Sequence, residues 1–148
     1  MRLAHLLLLT TLGCSTGEDV PLHPGEGALA EVLGVELSRS SDRLGFGVAW
    51  AVTVTNAGEA AVDDLVLVLD EEWSAPIRRL RVDRSPGASG AELPAGLAAG
   101  ERLVVRDSHD ITNHHVLRDL ADTPYPSDQV PRTVGFESAG SRGVWRVR

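Results

Sequence analysis

The sequence predicts an all-β protein, an antiparallel β-sandwich of about seven strands with one short helical turn in a late crossover. Two observations carry this prediction. Every even position from Phe46 to Val54 is large and apolar (Phe46, Val48, Trp50, Val52, Val54), and the odd positions between them are Gly47, Ala49, Ala51 and Thr53. That period-two alternation suits a strand with one face in a core. Clusters rich in glycine, serine and proline then interrupt the apolar runs at short intervals, as at Asn56-Ala57-Gly58-Glu59, Ser85-Pro86-Gly87 and Ser138-Ala139-Gly140. Short strands separated by such turns point to a sandwich. A chain of 148 residues holds one domain with one core.

The chain opens on MRLAHLLLLTTLGC, one arginine followed by a short apolar run. The run is about half the length needed to span a bilayer as a helix, so residues 1–14 are expected to be a secretory signal. Leu12-Gly13-Cys14 resembles the lipobox of bacterial lipoproteins, which implies that Cys14 becomes the diacylated first residue of the mature chain, carrying palmitate-like acyl groups. Thr11 departs from the leucine that this motif prefers. Ser15, rather than an aspartate, leans towards the outer membrane or the cell surface. Residues 15–27, STGEDVPLHPGEG, have no periodic apolar pattern and are expected to be a flexible tether. The sandwich is expected over 28–148.

Within it, Leu29, Leu33, Val35 and Leu37 predict a first strand, residues 45–55 a second and 62–70 a third. The third has Leu65 to Leu69 apolar on both faces and reads as an interior strand. Further strands are expected at 77–83, 102–106, 133–137 and 143–147, the last two joined by a five-residue loop at 138–142. A helical turn is expected at 114–120, where Val116, Leu117 and Leu120 share one side.

Val52-Thr-Val-Thr-Asn56-Ala-Gly58-Glu59, followed some forty residues later by Leu97-Ala-Ala-Gly100-Glu101-Arg102, resembles the immunoglobulin-like domains of bacterial surface proteins of the CARDB type. The resemblance covers about residues 30–107 and implies an immunoglobulin-like sandwich. Asparagine and glycine are expected there to supply the positive φ of a turn, and Gly-Glu to open a strand.

Charge narrows the partners. The net charge is −7, and every one of the fourteen basic residues is arginine. A surface this acidic is repelled by phosphate backbones, so nucleic acid is not an expected partner. An envelope protein or glycan is. Cys14 is the only cysteine, so no intramolecular disulfide forms.

Two clusters are candidate sites. Asp107, His109, Asp110, His114 and His115 crowd one segment, and two imidazoles with a carboxylate would suit zinc or copper. Adjacent His114 and His115 diverge on any regular element, so the favoured expectation is a capped polar loop without metal. Arg79 and Arg81 are expected to share one face of a strand, with Trp73 the exposed aromatic nearby, a set suited to the anionic groups of a glycan. A solvated strand face is the competing expectation. The chain has no Gly-x-Ser-x-Gly elbow, no phosphate-binding glycine loop and no His-Glu-x-x-His. The expected function is therefore a non-catalytic, envelope-anchored binding or assembly module without a cofactor, with a metal-binding lipoprotein as the alternative.

Overall fold

The computed structural model describes residues 17–41, 48–80, 94–107 and 130–148. Two four-stranded antiparallel sheets face each other across one apolar core, the all-β sandwich that the alternation predicts. The first sheet runs β1 (Glu18–Val20), β2 (Leu33–Ser41), β3 (Val48–Asn56), β6 (Arg102–Asp107). The second runs β5 (Trp73–Pro76), β4 (Val66–Leu69), β7 (Thr133–Ser138), β8 (Ser141–Arg146). The chain changes sheets after β3, β5 and β6, so consecutive strands cross between the two layers of the sandwich.

β3 sits at the middle of its sheet, and its even residues point inward: Trp50, Val52 and Val54 are buried. Opposite them lie Leu67 and Leu69 of β4, Val134 and Phe136 of β7, and Trp145 of β8. Phe136 and Trp145 meet edge to face, ring centres 6.2 Å apart. β4 is apolar on both faces, as expected. Leu67 and Leu69 enter the core, while Val68 lies on the outer face beside Gly135 and is still buried. Arg142, on that outer face, ion-pairs with Glu137 at 3.7 Å and Glu71 at 3.8 Å.

Four expectations are corrected. Residues 15–27 were expected as a tether, but from Glu18 onward the chain is built into the sandwich. β1 pairs with β2 (Glu18↔Arg39, Val20↔Leu37), and then Leu22 and Glu26 bridge to Val147 and Val144 beside β8. Low hydrophobicity misled here, because this segment is held by backbone hydrogen bonds at sheet edges and needs few apolar side chains.

Leu29 lies in a 3-10 turn (Ala28–Glu31), not in the first strand. The strand expected at 77–83 begins instead as a single helical turn, α1 (Ile77–Leu80), in which Ile77 and Leu80, three apart, are the buried pair. That is helical rather than alternating spacing. Finally, β7 and β8 are joined by a two-residue turn. Ser138 pairs with Ser141, and Ala139 (φ 45°) with Gly140 (φ 81°) takes the left-handed conformations of a type I′ turn. The helical turn expected at 114–120 lies outside the described residues.

Candidate functional site

Strand register fixes which groups share an end of the sandwich. The start of β1, the ends of β2 and β6 and the start of β7 lie together at one end, here the N-terminal end, where Arg148 donates to Pro21. The far end carries the start of β2, the end of β3, the start of β6 and the β7–β8 turn.

The N-terminal segment runs between the two ends along one side of the sandwich, crossing from the first sheet to the second as it goes. Two of its three carboxylates, Glu18 and Glu26, are clamped, one to each sheet. Arg39 of β2 donates through Nε and Nη2 to Glu18, at 3.2 and 3.1 Å, and Arg146 of β8 donates to Glu26 at 2.8 Å. The hydrogen bond and charge of Glu26 raise the pKa of Arg146 further above its already high value. A raised folded-state value means stability present at lower pH and lost only above the ordinary arginine range, so Arg146 brings no titration into working conditions. Gly25 lies where any side chain would strike the Trp145 indole. Gly27, at φ 99°, lies where one would strike the Arg142 carbonyl. Only glycine lets the segment lie this close to β8.

Where this segment changes sheets it leaves a groove of about 440 Å3, lined by Asp19, Val20, Leu22, Val35, Glu36 and Leu37. Val20, Leu22 and Val35 are half-buried, and Asp19 and Glu36 are exposed on its rim. Glu36 reaches Arg102 at 3.9 Å, with both side chains well solvated. A second depression of similar size is lined by Asp64, Val66, Glu137 and the β7–β8 turn.

The two halves of the sequence motif meet at the far end. Asn56 is fully buried. Its Nδ2 donates to the carbonyls of Ala60 (2.8 Å) and Leu97 (3.1 Å), and its Oδ1 accepts from Gly58 N–H (2.9 Å). Its backbone donates to Glu101 and accepts from Gly100. Asn56 was expected to supply a positive φ. It is instead the last residue of β3, and the left-handed residue of this pair of segments is Gly100, at φ 74°. The Glu101 carboxylate accepts from Ala98 N–H at 2.8 Å, closing the turn before β6.

Of the histidine–aspartate cluster, only Asp107 lies in the described part of the chain. It is the last residue of β6, buried and in register with Trp50. His109, Asp110, His114 and His115 lie outside the described residues, as does Cys14. Among the described residues no group of three or more histidines, cysteines or carboxylates is placed to hold a metal ion.

Of the arginine–tryptophan set, Trp73 and the backbone of Arg79 lie in the described part of the chain. Trp73, expected to be exposed or half-buried at a rim, is buried, because the acidic run before it is the β4–β5 turn and β5 begins on an inward position in register with Leu69. Arg79 belongs to the helical turn, and Arg81 lies outside the described residues. The groove escaped the sequence because three of its lining residues, Asp19, Val20 and Leu22, stand in the supposed tether. The proline at position 21, next to the apolar pair Val20 and Leu22, is the signal that marks it.

Compared with known proteins, the chain matches no protein family, no curated protein and no solved structure.

Proposed function

We propose that this chain is a lipid-anchored protein of the bacterial cell envelope, held through acylated Cys14 at the periplasmic face of the outer membrane or at the cell surface. Its sandwich serves as a non-catalytic binding or assembly module. The observation that carries this reading is the closeness of the lipobox cysteine to the folded domain. β1 starts at Glu18, four residues after Cys14. Fully extended, four residues span at most ~14 Å. An acyl anchor at Cys14 therefore holds the N-terminal end of the sandwich against the headgroups and turns the far-end loops outward. Anchoring of this kind needs more than one chain to be stable, which the diacylated cysteine of a lipoprotein provides.

The experiment is fractionation with intact-mass measurement of the wild type and Cys14→Ser. The wild type is expected in membranes with the mass of a processed, acylated chain, and the variant in the soluble fraction or unprocessed. Unchanged partition and unchanged mass would remove the anchor from the proposal.

A further inference from the structure

β2 is nine residues long, but β1 pairs only with its residues 37–39. The ladder stops at Pro21, which has no N–H to contribute, and Leu22 is already bridged to Val147 beside the other sheet. Among the described residues no strand covers the outer edge of β2 before Leu37.

The direction of the backbone groups on that edge follows from antiparallel alternation. Asn56 turns its N–H and C=O towards Glu101 and Gly100 on the β6 side. Val54, two residues earlier, turns the same way. Its partner across the ladder, Val35, must then turn its own N–H and C=O away from β3, to the open edge. That edge borders the groove floored by Val20, Leu22 and Val35 and rimmed by Asp19 and Glu36.

We propose that this groove binds a short extended segment of another protein, added as a strand at Val35 and carrying a lysine or arginine. Alternation along the added strand lays one small apolar side chain on Val20 and Leu22, on the Val35 face, and turns the neighbouring cation to the other face, where it meets Asp19 and Glu36. Three features select this occupant. An open edge with outward-facing backbone donors and acceptors recognises extended backbone. The apolar floor is too short for a helix face and suits one or two side chains. The two rim carboxylates favour a cation over a neutral or acidic group. The Glu36–Arg102 contact is long and solvated, so an incoming cation displaces it at little cost. The inference rests on the reading of the sandwich as a binding module, and is independent of the anchor.

The probe is a capped pentapeptide alternating lysine and valine, titrated into the 15N-labelled full chain. Saturable amide shifts are expected at Val20, Val35 and Glu36, with a Kd on the order of 0.1–1 mM for so short a ladder. An Asp19→Asn, Glu36→Gln double variant should weaken binding about tenfold, and glutamate in place of lysine in the peptide should abolish it. Val35→Pro removes an N–H that the β2–β3 ladder does not use, so the chain should fold and the peptide shifts should vanish. No saturable shift at ~10 mM peptide, equal binding of the acidic peptide, unchanged affinity of the carboxylate variant, or undiminished shifts in a folded Val35→Pro protein would each overturn the proposal. The Cys14→Ser fractionation reads the anchor separately, so the two failures are distinguishable.

Discussion

Asn56 ties separate parts of this fold together through one buried side chain. It is fully buried; two of its side-chain hydrogen bonds, to Gly58 and Ala60, close the turn after β3, and the third, to Leu97, ties that turn to the segment that leads into β6. Asn56→Ala removes all three bonds, taking this partner from the Ala60 carbonyl and the Gly58 N–H while the Leu97 carbonyl keeps the Val62 N–H, and is expected to cost ~2–4 kcal/mol in urea unfolding. Asn56→Asp tests the direction of those bonds. A carboxylate cannot donate to Ala60 and Leu97, and next to their oxygens its charged form is disfavoured, which raises its folded-state pKa. Such a group loses stability as pH rises, so the aspartate variant should be markedly less stable at neutral pH than in mild acid, whereas the alanine variant should show no such slope. The importance of this residue was legible as a motif, Asn-Ala-Gly-Glu, but its role was not. Asparagine serves equally as a left-handed turn residue and as a buried donor, and only burial decides between them.

Among elements, β3 was the most legible, because strict alternation over nine residues leaves one choice of inner face. Val52→Asp puts an unpaired charge at a fully buried position and should cost at least ~3 kcal/mol. Thr53 points to the outer face, beside the exposed Arg102 and Arg106 of the adjacent strand, but is itself buried, so Thr53→Asp should also destabilise, though by less than Val52→Asp because those arginines stand near the new charge. The N-terminal segment was the least legible. Its strand is three residues long and its remaining pairings are single bridges, so no periodicity exists to read. Gly27→Ala is the sharper test of its packing, since the new methyl meets the Arg142 carbonyl at a positive φ. A loss of ~2–4 kcal/mol is expected in thermal or urea unfolding.

At the scale of the whole molecule, the N-terminal segment shields parts of two sheet edges at once, β2 in the first sheet and β8 in the second. Uncovered edges are templates for association. A chain beginning at Ala28 should therefore melt lower than one beginning at Gly17 and should self-associate, both readable by calorimetry and size-exclusion chromatography. Equal melting and a monomeric Ala28 chain would show that the segment is decorative. The class of fold was legible from alternation and turn spacing because those depend on local chemistry. The groove was not, because it is formed where a segment that looks unstructured passes between two sheets.

The path of that same segment also has a mechanical consequence. It starts at the N-terminal end of the sandwich and runs lengthwise towards the far end, hydrogen-bonded first to β2 and then beside β8. Tension applied through its first residue pulls along the strands. The bonds to Arg146, Val144 and β2 are loaded in shear, together, rather than peeled one after another. Two arginine clamps, at Glu18 and Glu26, lie on the same line of force. A domain tugged from Cys14 while its far end is held by a partner would thus resist along its strongest direction.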